Sequence, residues 1–171
     1  MKKRNIILVI GVLVGSIIGT QTFAEPVEKE LGLNEVDRLF KTIKDNPQFS
    51  IFYDAIEQAD LSEEIAKLDE MTLMIPSNRA FKLLPEDVLE NFMDEENKDA
   101  LIELINYHVL PKKIYYEELQ ASKQLNTLRN QSISISHESE LKVENAVVEE
   151  KYAETDDVII YKVDRLIMPL K

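Results

Sequence analysis

Thr72-Leu73-Met74-Ile75-Pro76-Ser77-Asn78-Arg79-Ala80-Phe81 is the stretch on which the fold turns. Its first four residues form an apolar run with no helical period. Pro76, which cannot donate to a β-ladder, closes the run, so it reads as a short buried strand. Ser77 carries a side-chain oxygen of the kind that caps a helix, and Phe81 anchors a short helical turn behind it.

Upstream of this stretch the periodicity is helical. Val36, Leu39, Phe40 and Ile43 fall at i, i+3, i+4 and i+7 behind Asn34, a good N-cap, and form one apolar stripe. Asn46-Pro47 reads as a cap followed by proline in the first turn, and Phe49, Phe52, Tyr53 and Ile56 repeat the stripe. A shorter helix is expected from Ser62, burying Ile65 and Leu68. Downstream, Pro85 opens Val88-Leu89-Phe92, and Asn97 caps a helix with Leu101, Leu104, Ile105 and His108 on one side.

From Val109 the pattern changes, and the C-terminal third reads as mostly strand. Ser132-Ile133-Ser134-Ile135-Ser136 alternates strictly, Leu141 and Val143 alternate with charged residues, and Val158 to Val163 is rich in β-branched residues. Helices first and strands later predict an α+β domain rather than an alternating parallel-sheet one.

The start of the chain has the layout of a secretory signal: Lys2, Lys3 and Arg4, an apolar run from Ile6 to Ile18, and a small-residue end at Ala24. The run is too short to span a bilayer. Residues 1–24 are therefore expected to be a cleaved signal, 25–35 a lead-in and 36–171 one domain, with no integral membrane segment after cleavage. The chain contains no cysteine, so neither a lipid anchor on a cysteine nor a disulfide enters the reading. The formal charge of −12 becomes more negative when three signal cations leave. Such a field repels phosphate backbones and anionic headgroups, so nucleic acid and anionic membrane are poor partners.

Of the four glycines only Gly32 survives signal removal. Phosphate-cradling loops and the Gly-x-Ser-x-Gly elbow are excluded, as is any thiol nucleophile or thiolate metal site. Left-handed turns between the C-terminal strands are expected to fall to Asn130 and Asn145. His108, on an apolar stripe beside Tyr107, reads as a hydrogen-bonded core residue. His137, in a polar turn, reads as solvated. Glu149-Glu150 with Glu154, Asp156 and Asp157 is the densest acidic stretch. It lacks the order and glycine of a calcium loop and reads as a solvated loop. No catalytic residue, metal site or cofactor is indicated.

The opening stretch closely resembles the first signature block of fasciclin (FAS1) domains, Thr-x-Phe-x-Pro-Thr/Ser-Asn-x-Ala-Phe, with Thr72, Pro76, Ser77, Asn78, Ala80 and Phe81 matching and Met74 in place of the aromatic. The resemblance continues in order through Leu84-Pro85, Asn97-Lys98-Asp99-Ala100-Leu101 and Tyr107-His108-Val109-Leu110-Pro111. A looser match to the second block runs from Asp157 to Pro169, with Tyr161 where the family commonly has histidine. Asn46-Pro47-Gln48-Phe49-Ser50 resembles the start of the domain, so the likeness covers about Val36 to Leu170. Lys112 and Val158 stand where the family often has glycine.

The resemblance implies a wedge of two β-sheets with several helices, and a protein of the single-domain, bacterial, secreted type. It further implies an exported, non-enzymatic adhesion module binding a protein or glycan at the cell surface or matrix, in the periplasm or beyond it. Tyr107, His108, Ile160, Tyr161 and Asp164 are the binding candidates that it supplies. The block residues also have structural uses: Ser77 or Asn78 as helix caps, and Asp164 as an acceptor for buried backbone donors. A periplasmic carrier of a small apolar ligand and a two-carboxylate hydrolase are the alternatives.

Overall fold

The computed structural model describes residues 35–168, so the expected signal and lead-in lie outside the described residues. α1 (Glu35–Lys44) is followed by a 3-10 turn (Pro47–Phe49) and α2 (Ser50–Gln58). Asn46 opens the turn as its side chain suggests: Oδ1 accepts from the Gln48 N–H at 3.0 Å, and Pro47 fills a position where a missing N–H costs nothing. Phe49, Phe52 and Ile56 are fully buried, as their spacing requires. After α3 (Ser62–Ala66) the chain enters β1 (Met71–Pro76). Next come α4 (Asn78–Phe81), α5 (Glu86–Phe92), α6 (Lys98–Asn106), β2 (Val109–Leu110) and α7 (Tyr116–Ala121). Five strands complete the described chain: β3 (Gln124–Asn126), β4 (Ser132–His137), β5 (Leu141–Val143), β6 (Ala146–Glu154) and β7 (Val158–Val163).

The strands form one hydrogen-bonded ribbon in the order β2-β1-β7-β6-β5-β4-β3. β1 and β7 run parallel, with Leu73 opposite Ile160 and Met74 opposite Tyr161. Both strands are covered on two faces, which explains their nearly continuous apolar sequence. Met71, Leu73, Ile75, Val158 and Ile160 face a core completed by Phe49, Phe52, Ile56, Phe81, Leu101 and Ile105 from the helices. Met74, Ile159, Tyr161 and Val163 face a second core with Ile133, Ile135, Leu141 and Val143 from β4 and β5.

β6 is the hinge between the two halves of the ribbon. Its first residues pair with β5, Ala146 opposite Val143, and its remainder pairs with β7 across two register shifts, at Val148/Glu150 and Lys151/Ala153. Bulges bend a strand and raise its twist, so the ribbon folds back on the second core and makes the wedge. The segment behind β3 then returns to the opposite edge, where the Leu128 N–H donates to the Val109 carbonyl at 2.8 Å. That bond ties the two ends of the sheet together and covers part of each edge.

The result is an α+β fold with a β-wedge and a helical layer. Two local expectations need correction, and one helix stands among the C-terminal strands. Glu149, Glu150 and Glu154 lie in β6 rather than in a loop, and ion pairs hold them there: Lys162 to Glu149 and Glu150, Lys113 and Lys151 to Glu154. The C-terminal third includes α7, a helix between strands. Asn130 is left-handed (φ 61°), but at the next turn Glu144 (φ 52°) takes that conformation in place of Asn145. The Asn145 side chain is used otherwise: Nδ2 donates to the Leu166 carbonyl and Oδ1 accepts from the Met168 N–H, each at 3.0 Å.

Candidate functional site

The residues of the opening stretch work inward. Thr72 is fully buried between β1 and the loop ahead of α7, and its hydroxyl donates to the Lys112 carbonyl at 2.7 Å and accepts from the Ile114 N–H at 2.9 Å. Pro76 ends β1. Ser77 stands at the N-cap of α4 but makes no side-chain cap bond; its carbonyl accepts from Ala80 and Phe81 instead. Asn78 bolts α4 to the first turn of α2 and to Pro47 in the turn ahead of it. Its Oδ1 accepts from the Ile51 N–H at 3.1 Å, and its Nδ2 donates to the Pro47 carbonyl at 2.9 Å and the Ser50 hydroxyl at 3.0 Å. Ala80 and Phe81 are buried.

His108 is fully buried beside the Phe52 ring, with centroids 5.3 Å apart. Nδ1 lies 2.8 Å from the Leu104 carbonyl, and Nε2 accepts from the Ile167 N–H at 3.1 Å. Since the carbonyl needs a donor and the amide an acceptor, the bonds assign a neutral ring with its proton on Nδ1. Burial lowers its pKa to about 4, against a smaller upward push from the Leu104 carbonyl. Tyr161 is also fully buried, its hydroxyl donating to the Ile114 carbonyl at 3.1 Å. Burial, with Glu117 and Glu154 behind it, pushes its pKa up. Ile160 lies in the helical core, and Tyr107 is 8% exposed.

Four of the five binding candidates are therefore interior, and a partner cannot reach His108, Ile160 or Tyr161 while the fold is closed. The burial has a plain cause: β7 has cores on both faces, so no side chain of Ile159–Tyr161 is left for solvent. Asp164 alone lies at the surface. Its Oδ1 accepts from the Val147 N–H at 2.7 Å, the use expected of a buried-donor acceptor, while Arg165 holds Oδ2 at 2.7 Å through Nη2. Burial pushes this carboxyl up, but the Arg165 and Val147 hydrogen bonds outweigh it and hold it below the usual value.

Asp164 and Arg165 line an open groove of about 660 Å³ whose other walls include Tyr116, Lys142, Asn145 and Glu149. Tyr116, 39% exposed, begins α7, and its neighbour Tyr115 is 50% exposed with the Lys113 ammonium 5.0 Å from its ring centroid. Sequence reasoning missed this pair. The available signal was two adjacent tyrosines that belong to no apolar stripe. It also missed Asn106, buried at the end of α6, which accepts from the Arg129 N–H at 2.8 Å and donates to Gln131 Oε1, fixing the turn before β4. Among the described residues no group of His, Asp and Glu is arranged to hold a metal ion, and no helix is long and apolar enough to cross a membrane.

The sequence model of the fasciclin domain matches residues 47–169. Protein sll1483 of Synechocystis sp. is 27% identical, with 99% of each chain covered. Human periostin is 28% identical over 74% of this chain but 15% of its own length, so the chain spans a small part of that relative. Among solved structures, the FAS1 domain pair of the insect cell adhesion molecule Fasciclin I superposes with a TM-score of 0.66 at 14% identity. The match covers 77% of this chain and 50% of that one.

Proposed function

The chain belongs to the fasciclin domain family, and on that premise we propose that it is an exported, non-enzymatic interaction module that binds a protein or glycan at the cell surface or in the extracellular matrix. The observation that carries this reading is the exposed Tyr115-Tyr116 pair, one ring of which walls the groove beside Asp164 and Arg165. A half-exposed aromatic at the mouth of a polar groove offers contact area at low entropic cost, and such residues are enriched where proteins meet partners. The adhesion role named for Fasciclin I supports the same reading. A non-enzymatic role is supported by His108, whose two ring nitrogens are both committed to backbone partners.

The test is direct binding of labelled residues 25–171 to producing cells, host cells and isolated matrix at low and moderate salt. Saturable, salt-tolerant binding to one of them is the expected result. Absence of binding to all three overturns the proposal, and a co-purifying small apolar ligand would then favour the carrier reading.

A further inference from the structure

α5 is an amphipathic helix that buries none of its residues. Leu84, Leu89, Phe92 and Met93 lean on the helical core yet stay half-buried, Val88 is half-buried, and Leu83 at the approach to the helix is 62% exposed. The same segment carries six exposed carboxylates: Glu86, Asp87, Glu90, Asp94, Glu95 and Glu96. No described cation forms an ion pair with any of them, and residues 83–97 contain no Lys or Arg.

We propose that the α5 face, from Leu83 to Met93, is a docking surface for a cationic amphipathic helix. The apolar side chains supply Leu, Val, Phe and Met contacts of the adaptable kind that accept a helix laid across them, and the carboxylate rim selects basic flanks on the partner. Charge decides against a second copy of this chain, because a two-fold contact would set the same six carboxylates against themselves. An anionic membrane is opposed by the same field. The surface is separate from the Tyr116 groove, and neither proposal depends on the other.

The probe is a peptide of about 15 residues built from Leu and Lys at helical spacing, with a Leu and Glu peptide as control. Binding to the full chain is followed by calorimetry and by amide shifts in the NMR spectrum. The Lys peptide should bind saturably, move the amides of Leu83–Met93, and lose at least about tenfold in affinity with Leu83→Glu. The double variant Glu86→Gln/Asp87→Asn should weaken binding more than the charge-matched Asp69→Asn/Glu70→Gln. The Glu peptide should not bind. Equal effects of the two double variants, amide shifts elsewhere, or affinity unchanged by Leu83→Glu would reduce the effect to general attraction and overturn the proposal. Dimerisation of the chain alone that Leu83→Glu abolishes would overturn it too, and give the face to a second copy.

Discussion

Between about pH 7 and pH 4, acid should weaken this fold chiefly through one side chain, His108, and the size of the effect follows from its surroundings. The ring is fully buried, and its pKa is lowered from 6.5 to about 4, chiefly by burial. Between those values the unfolded chain carries a proton on the imidazole that the folded chain does not. Acid therefore favours unfolding throughout that window, and the stability present above pH 6.5 is lost as the pH falls toward 4. At about 1.4 kcal/mol per unit, the loss reaches roughly 3 kcal/mol, a large part of the 5–15 kcal/mol typical of a domain. Protonation of Nε2 also removes the acceptor for the Ile167 N–H, so the segment after β7 should loosen first. The assay is urea unfolding followed by far-UV circular dichroism, since the chain has no tryptophan, at a series of values from about pH 7 to pH 4. His108→Gln supplies the reference: it costs stability at neutral pH but cannot titrate in this window. The stability difference between native chain and variant should shrink by about 3 kcal/mol on acidification. Parallel profiles would refute the reasoning.

Other perturbations separate scaffold from surface. Asn78→Ala removes three hydrogen bonds that join α4 to Pro47 and to the first turn of α2, and should cost about 2–4 kcal/mol in urea titrations; a cost below about 0.5 kcal/mol would show that they contribute nothing. Tyr161→Phe leaves the Ile114 carbonyl without its donor and should cost about 1–2 kcal/mol with no change in core volume; an unchanged denaturation midpoint would count against that bond. Asp164 has a lowered pKa, so its contribution is present above the ordinary value of 3.8 and is lost as the pH falls through the lower folded value. Asp164→Asn should thus differ from the native chain at neutral pH and converge with it in strong acid; a gap that persists there would refute the assignment.

The helices and central strands were legible because burial is written into period. Phe49, Phe52 and Ile56 sit one helical turn apart, and the β1 and β7 runs are apolar at nearly every position because two cores claim them. β6 was not legible. Its two register shifts break the alternation that marks a strand, and its glutamates face solvent and lysines rather than a core. α7 buries Leu119 alone over six residues, too little to make a stripe. The signature blocks were found, but whether their residues point in or out depends on what packs against the far face of β7. That face meets β4 and β5 only after β6 has bent the ribbon, which no local pattern announces.

We propose that the signature residues hold the domain together while the Tyr116 groove meets the partner. It is tested most directly by comparing Tyr116→Ala with Tyr161→Phe in the cell and matrix binding assay, at a temperature where both remain folded. Tyr116→Ala should weaken binding at least about tenfold with little change in stability, and Tyr161→Phe should lower stability and leave affinity intact. The reverse pattern, affinity lost at Tyr161 and kept at Tyr116, would contradict it.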